Sequence, residues 1–445
     1  MTYRIFTLGC KVNQQESETI ALDFEKHGFS AVKKGESADI FVINSCTVTS
    51  IADSKTRQRI RQSRKANPKA LVCVVGCLPE VARDVIEAMP EVDLVIGSLD
   101  KERTAEIIAA RLLSDKTIWD VPCVLLEALI NSENAAASTE SSLDLLGSML
   151  NKSPRISRLL AAQSGLRAAR TRAFIKAEDG CDRFCAYCIV PYARGPVRSR
   201  AIEDVVSEAK GLLETGYKEL VLTGVNLAMH DDLYGLARRI CAIDTGGEYR
   251  VRLGSLEPNV IGADDAMRIA GIDGICPQFH LSLQSGAERT LKEMGRGYSP
   301  GDYAGIVNGL RGIDPLFSVT TDVIVGFPGE SDDDFAESLD FVRNTGFARV
   351  HVFKYSKRPG TRAAEMSGQV PETVKNERSR KMIEVAEAGA AQFLKKNNGI
   401  SRRTLIFGPD KNGRSMRGLT DNGIDVLLPC SAGVYNENTM VDIKL

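Results

Sequence analysis

Over the first hundred residues, short apolar runs alternate with longer segments of mixed polarity. Tyr3–Leu8, Asp39–Ile43, Ala70–Val75 and Asp93–Ile96 are rich in Val, Ile, Leu and Phe and predict strands. Between them Glu16–His27, Lys55–Lys65 and Pro79–Ala88 carry the polar patterning of helices. This alternation predicts a parallel sheet with helical crossovers. From Ala173 the pattern resumes. Ala173–Ala177, Glu219–Thr223, Arg250–Ser255, Gln278–Leu283, Ser318–Val325 and Val350–Phe353 predict strands. Ile202–Thr215, Asp231–Ile240, Tyr303–Leu310 and Asp333–Asn344 predict the helices that follow most of them. About six β/α units result, fewer than the eight that close a barrel. Pro371–Asn397 predicts one long charged helix, stopped by Asn398-Gly399. Thr404–Phe407, Ser415–Leu419, Ile424–Leu428 and Met440–Ile443 then predict short strands between turn residues, which fits a small β-barrel.

The expected organisation is therefore α/β. An N-terminal parallel sheet domain occupies 1–112, a linker or insertion 113–172, a partial (β/α)6 barrel 173–397 and a small β-barrel 398–445. In the linker, Ser132–Ser142 reads as a flexible loop, and Ser141–Leu150 and Ile156–Ala169 have helical apolar spacing. Lys152–Arg172 holds six basic residues and no acid, which suits either an RNA-contacting arm or an inserted hairpin. Lys55–Lys65 has the same composition; a solvated helix face and a phosphate-contacting role both remain open for it.

Composition narrows the function classes. A chain of 445 residues with 43% hydrophobic content is expected to hold two or three well-packed domains. Eleven cysteines without a signal-peptide pattern argue against a secreted disulfide protein and suit a reducing, cytoplasmic setting. The longest apolar run, Leu71–Leu78, is too short to span a bilayer, so no membrane partner is expected. A net charge of −1 leaves any RNA binding to local basic patches. There is no phosphate-loop fingerprint, no His-Glu-x-x-His and no Gly-x-Ser-x-Gly.

The chemistry concentrates in cysteine. Cys181, Cys185 and Cys188 fall within eight residues, with three and then two residues between them. Three thiolates on a four-iron cube leave one iron open for chemistry. A zinc site is the rival, but it wants a fourth Cys or His close by. His27, His230, His280 and His351 all lie far away in sequence. Cys10, Cys46 and Cys77 each follow the end of a predicted strand, at Leu8, Ile43 and Val75. In a parallel sheet such ends share one edge, where ligands bind, so these three can meet as a second metal site. The bland alternative for each is a buried core thiol, the role expected for Cys73 inside its strand.

GCDRFCAYCIVPYARG at Gly180–Gly195 resembles the cluster loop of the radical S-adenosylmethionine (SAM) enzymes, in particular the methylthiotransferases. The resemblance implies a 4Fe–4S cluster on Cys181, Cys185 and Cys188, with the amino and carboxylate groups of SAM on its open iron and Tyr187 near the adenine. LGCKVNQQES, VINSCTVT and VVGCLPE resemble the three cysteine motifs of the family's N-terminal domain, implying an auxiliary 4Fe–4S cluster on Cys10, Cys46 and Cys77. Further motifs resemble the family's SAM site, in the family's order. They place Thr223 and Gly224 after the second barrel strand, Glu257 after the third, Ser282 and Gln284 at the fourth, Gly326 after the fifth and Tyr355 after the sixth. The C-terminal strands resemble a TRAM module, an RNA-binding domain, with Arg402, Arg403, Lys411, Arg414 and Arg417 as its basic residues.

Lys11-Val12-Asn13-Gln14 after Cys10 most resembles the branch that acts on N6-threonylcarbamoyladenosine in tRNA, although Gln15 stands where a tyrosine is usual and Lys354 where a proline is common. The implied reaction is radical methylthiolation at carbon 2 of that base, beside the anticodon. The implied partners are the anticodon stem-loop of tRNA, an electron donor such as flavodoxin or ferredoxin, and a sulfur donor. Arg296 is a candidate for recognising the threonylcarbamoyl carboxylate. The sibling substrates are N6-isopentenyladenosine in tRNA and a ribosomal-protein aspartate. The alternative from another class is a non-catalytic iron–sulfur RNA-binding protein.

Overall fold

The central strands of the N-terminal sheet are apolar toward both faces, and both faces of that sheet are buried. In a computed structural model, which describes residues 1–33, 35–114, 171–430 and 435–445, the chain forms two units. The first comprises Met1–Arg170 with Tyr192–Arg194, and the second comprises Thr171–Pro191 with Gly195–Leu445. The linker expectations between 115 and 170 lie outside the described residues.

The first unit runs β1 (Thr2–Thr7), α1 (Lys11–Lys26), β2 (Ser30–Ala31), β3 (Ile40–Ser45), α2 (Ser50–Ala66), β4 (Leu71–Gly76), α3 (Cys77–Glu87), β5 (Leu94–Ile96) and α4 (Thr104–Ser114). Its five strands are all parallel, in the order β2-β1-β3-β4-β5. Ile40, Val42, Cys73 and Val75 pack on one face with Ile20, Phe24 and Ile108. Phe41, Ile43, Val72 and Val74 pack on the other with Ile60, Leu78 and Ile86. Two covered faces explain why these strands read as continuous apolar runs. The strand order reverses between β1 and β3, which opens a crevice at their carboxyl ends. Helix α1 starts at Lys11, well before the expected Glu16, because its first turns bury the polar Asn13 and Glu16 and so hide the helical period. Helix α4 crosses the boundary expected at 112.

In the second unit β6 (Arg172–Lys176), β9 (Glu219–Thr223) and β10 (Arg250–Leu253) form one parallel sheet. β11 (Ser255–Leu256), β12 (Gln278–Leu281), β13 (Ser318–Val325) and β14 (Arg349–Lys354) form the next. β10 and β11 are one predicted strand interrupted at Gly254, whose N–H turns to the Leu222 carbonyl at 2.8 Å. A Cβ there would stand 3.0 Å from that same oxygen. Among the described residues β14 does not pair with β6, so the array is an open parallel barrel. Between β6 and β9, β7 (Glu178–Asp179) pairs with β8 (Arg198–Ser199) as an antiparallel ribbon. Two helices absent from the sequence expectation, Pro258–Ala270 and Glu288–Met294, are hidden by a kink at Gly262 and by shortness.

The long helix spans Glu372–Asn397. After it β15 (Ser401–Pro409), β16 (Ser415–Thr420), β17 (Asp425–Pro429) and β18 (Met440–Lys444) make one antiparallel sheet in the order β17-β16-β15-β18. The expected barrel closure is not among the described pairings. This sheet is held to the amino ends of the barrel strands by a buried ionic group. Arg250 donates to the carbonyls of Arg403 and Leu419 at 2.8 and 2.9 Å, and Arg252 to those of Thr420 and Asp421, both at 3.0 Å. Glu219 neutralises both guanidiniums from below, at 2.6 and 3.0 Å.

Candidate metal centres and SAM site

The first centre is assembled from three βα loops. Cys10 caps the N-terminus of α1, Cys46 follows β3 and Cys77 opens α3. All three therefore lie at the carboxyl edge of the sheet, at the β1/β3 crevice and beside it. Asn13 ties two of the loops, donating to the carbonyls of Leu8 and Ser45 at 2.8 and 2.9 Å. Ser45 ties in the third, donating to the Val75 carbonyl at 2.6 Å and accepting from the Leu78 N–H at 3.2 Å. The Cys10 thiol itself points at Asn13 Oδ1, 3.6 Å away. Glycine precedes two of the cysteines for a steric reason. Gly9 has φ +100° and a Cβ there would lie 2.6 Å from Cys46 Sγ; Gly76 has φ +98° and a Cβ would lie 2.7 Å from both Asn44 Oδ1 and the Ser45 carbonyl.

Behind these thiols sits a buried charge group. Glu16 accepts from Lys101 at 2.7 Å and from Arg194 at 2.9 Å, and all three side chains are at most 3% exposed. Arg194 also donates to Asn13 Oδ1 at 2.6 Å, which joins the ionic group to the loop clamp. Two cations on one carboxylate leave net positive charge under the cysteines, and the N-termini of α1 and α3 add to it.

The second centre is one loop. The Cys181 N–H donates to the Gly195 carbonyl at 3.1 Å and the Cys188 N–H to the Cys185 carbonyl at 2.9 Å. Ala186 is pinned on both sides, its N–H on the Met294 carbonyl at 2.8 Å and its carbonyl under the Ala363 N–H at 2.7 Å. Gly180 has φ +88°, and a Cβ would stand 1.9 Å from the Pro196 carbonyl oxygen, so only glycine fits. Every other expected SAM residue falls at a carboxyl end of a barrel strand. Thr223 ends β9 and Gly224 follows, Glu257 follows β11, Ser282 and Gln284 follow β12, Gly326 follows β13, and Tyr355 follows β14.

Tyr187 packs in the apolar group of Phe327 and Tyr355 that lies beside Ala186. Glu257 is buried and accepts from Arg183 and Arg296, each at 3.2 Å, and from Asn226 Nδ2 at 2.7 Å. Arg296 continues to Cys185 Sγ at 3.3 Å and to the Ser282 carbonyl at 3.2 Å. Its side chain is 5% exposed and is engaged with Glu257 and the cluster loop. Asn226, Arg183, Asn13, Glu16, Lys101 and Arg194 escaped the sequence reading. Asn13, Glu16, Arg183 and Arg194 lie inside the cysteine motifs, where their polarity near cysteine was the available signal.

Burial pushes the Cys46 thiol up to about 12, and neighbouring Cys10 and Cys77 add to the rise. Cys77 is raised chiefly by burial too, with Arg194 and Lys101 pulling back. Burial likewise lifts Cys181 to about 11 and Cys188 to about 12. Thiols this hard to ionise become thiolates when a metal displaces the proton. Within each trio the thiols lie in electrostatic reach of one another, yet no three His, Cys, Asp or Glu side chains among the described residues are set around a single metal ion. A polynuclear cluster has the right donor set and the larger span. Among the buried polar atoms without a hydrogen-bond partner in the described residues are Asn44 Oδ1 in the first centre's loops, Tyr355 Oη after β14 and Asn226 Oδ1. The last, beside Glu257, is an acceptor suited to an ammonium or ribose hydroxyl.

An open parallel β/α barrel with a three-cysteine loop after its first strand defines a radical SAM enzyme. Residues 177–342 match the radical SAM superfamily model, and residues 2–97 match the uncharacterized protein family UPF0004. The fold is similar to that of TsrM, a radical SAM methyltransferase from Kitasatospora setae solved with cobalamin and a [4Fe-4S] cluster. The TM-score is 0.56 at 14% identity, over 82% of this chain and 76% of that one. It is also similar to the cobalamin-dependent radical enzyme OxsB, with TM-score 0.51 and 13% identity over 89% of this chain and 56% of that one. In sequence the chain is 36% identical to the threonylcarbamoyladenosine tRNA methylthiotransferase MtaB of Bacillus subtilis, over 88% of this chain and 82% of that protein. It is 34% identical to the MtaB protein of Aquifex aeolicus over 94% and 95%. A tRNA-2-methylthio-N(6)-dimethylallyladenosine synthase of Caldicellulosiruptor saccharolyticus follows at 31% over 97% and 87%. The chain belongs to the radical SAM methylthiotransferase family, whose cofactors are SAM and 4Fe–4S clusters.

Proposed function

We propose that the protein methylthiolates carbon 2 of N6-threonylcarbamoyladenosine beside the anticodon of tRNA. The observation that carries the reading is the presence of two separate three-thiol centres, one of them at a SAM-type barrel mouth. Curated relatives named as threonylcarbamoyladenosine tRNA methylthiotransferases, at 32–36% identity, favour the threonylcarbamoyl base over the dimethylallyl one. In this reading Cys181, Cys185 and Cys188 hold the SAM-binding cluster, and Cys10, Cys46 and Cys77 hold the auxiliary one. When bound, these groups would supply the radical chemistry that exchanges the hydrogen at carbon 2 for a methylthio group.

The chain's own residues bind, orient and exclude water. Glu257 and Asn226 present an anionic and a neutral acceptor where SAM's ammonium and ribose hydroxyls need partners. Tyr187, Phe327 and Tyr355 offer the apolar surface for its adenine. Thr223 and Gly224, at the end of a strand, would offer backbone groups to the methionine end, and Ser282, Gln284 and Gly326 would complete the rim. A base in an anticodon loop can be splayed into such a site without melting a helix. A flavodoxin or ferredoxin would deliver the electrons and a separate donor the sulfur. No helix of the described residues is long and apolar enough to cross a membrane, and a tRNA substrate is in keeping with a cytoplasmic setting.

The test is mass spectrometry of tRNA nucleosides from cells with and without the gene. Loss of 2-methylthio-N6-threonylcarbamoyladenosine, with its unthiolated precursor accumulating, is the expected result. Loss of the isopentenyl counterpart would reassign the substrate, and no change in either would overturn the tRNA reading.

A further inference from the structure

The six basic residues between Lys55 and Lys65 acquire a geometry in the fold. Helix α2 buries Thr56, Ile60 and Ser63 against the sheet. At 100° per residue, Ile51, Lys55, Gln58, Arg59, Arg61, Gln62 and Lys65 then fall within an outward arc of about 160°. Each of these seven is exposed. The arc has no acidic residue, and among the described residues no carboxylate pairs with Lys55, Arg59 or Lys65; Arg61 reaches Glu91 only at 4.0 Å. Arg64, off the arc, is spent on the Ala70 carbonyl and Asp93. Arg59 is held rather than loose, since its guanidinium lies 5.1 Å from the Phe6 ring centroid, with Arg4 at 4.9 Å from the same ring.

The face also has a direction. Its start adjoins Cys46, and there Val48 and Ile51 are 52% and 65% exposed, apolar and unpartnered by other side chains of the core. Apolar surface therefore lies next to the thiol centre, and cationic side chains continue for about 15 Å down the helix from Lys55 to Lys65. The C-terminal sheet, the other basic candidate, is mixed: Lys411, Arg414 and Arg417 are exposed, while its first two arginines are engaged. There Arg402 is paired with Asp314 at 3.0 Å, and Arg403 with Glu248 and with Asp442.

We propose that the outward face of α2 is the track along which the substrate RNA's phosphate backbone runs as its target base enters the Cys10/Cys46/Cys77 centre. Lys55, Arg59 and Lys65 neutralise successive phosphates, and Val48 and Ile51 meet the apolar faces of unstacked bases. This rests on the tRNA reading above and adds the binding surface. Cations at helical spacing follow a polyanion's repeating charges, whereas a compact acidic protein would need no apolar lead-in toward the thiols.

The experiment uses the full-length, cluster-loaded protein and labelled tRNA purified from cells lacking the gene. Kd is measured by anisotropy as potassium chloride is raised. For Lys55→Gln/Arg59→Gln/Lys65→Gln, the slope of log Kd against log salt should fall by about 2, at roughly 0.7 to 0.9 per lost phosphate contact. Affinity near physiological salt should drop at least about tenfold. Iron content and RNA-free SAM cleavage should match wild type, because none of the three lies in the catalytic machinery. Lys395→Gln/Lys396→Gln, on the long helix of the second unit, should leave the slope unchanged. A triple variant with the wild-type slope overturns the proposal while leaving the tRNA reading intact. The same slope with slower reduction by flavodoxin also overturns it and gives the face to an acidic electron donor. Wild-type protein that does not bind tRNA at all sinks both.

Discussion

The two cysteine centres have the same donor set and opposite origins. In the second unit the thiols come from eight consecutive residues, and the loop needs only a few backbone anchors to hold shape. In the first unit they come from three loops far apart in sequence, and a side-chain clamp of Asn13 and Ser45 brings them into register. Yet each centre is backed by the same device, a buried glutamate that bridges two cations: Glu16 with Lys101 and Arg194, Glu257 with Arg183 and Arg296. Net positive charge in a dry setting favours an anionic cluster and resists its loss. The comparison teaches that local sequence can set a ligand trio, but the charge that tunes it comes from the tertiary fold in both cases.

The largest effect separates the two jobs. Cys185→Ala should abolish SAM cleavage, read as 5′-deoxyadenosine by mass spectrometry. Cys46→Ala should retain cleavage and lose methylthio product. A Cys46→Ala protein that still thiolates tRNA would remove the division of labour.

Next come the glutamates, which should act each on its own centre. Glu257→Gln is expected to weaken SAM binding by about 10- to 100-fold, the usual size for groups that orient a centre's ligands, with first-centre iron unchanged. Glu16→Gln should lower iron retention at the first centre and leave SAM affinity alone. Equilibrium dialysis of SAM and iron assays on variants lacking one trio would show whether the effects cross over.

A third buried glutamate serves as the control, since Glu219 uses the same device away from both cysteine trios. Burial pushes its carboxyl up, but Arg252 and Arg250 outweigh that and hold it at about 2, below its ordinary 4.5. A depressed carboxyl contributes stability above its unfolded value and loses it as pH falls toward the folded one. Between pH 4.5 and 2 the second unit should lose about 3 kcal/mol, by the conversion of 1.36 kcal/mol per unit. Denaturant unfolding across that window would measure it, and Glu219→Gln should flatten the dependence. The smallest effect is expected from Asn13→Ala, at about 1 to 3 kcal/mol for leaving buried carbonyls without a donor. It should lower the melting temperature and loosen the first cluster while the spectrum of the second stays put.

Much of this was legible in the chain. β9 and β13 have the residue ranges that the apolar pattern predicts, and all six cysteines of the two trios stand after strand ends or in the one short loop. What the pattern hid has a physical cause. Helix α1 begins on buried polar residues, Gly254 splits one strand in two, and Gly262 kinks a helix whose period then fails to show. The paired cations escaped because Lys101 and Arg194 are far from Glu16 in sequence, and composition does not reveal which charges will share a buried carboxylate. Arg296 was noticed for its charge, but its contact with Cys185 was not visible, because 111 residues separate the two.

The central claim is that each trio holds its own four-iron cluster. Iron should therefore be counted, with Mössbauer spectra, on anaerobically reconstituted wild type, on the Cys10→Ala/Cys46→Ala/Cys77→Ala variant and on the Cys181→Ala/Cys185→Ala/Cys188→Ala variant. About eight irons in the wild type and about four in each variant is the predicted result. About four in the wild type, or none in either variant, would contradict it.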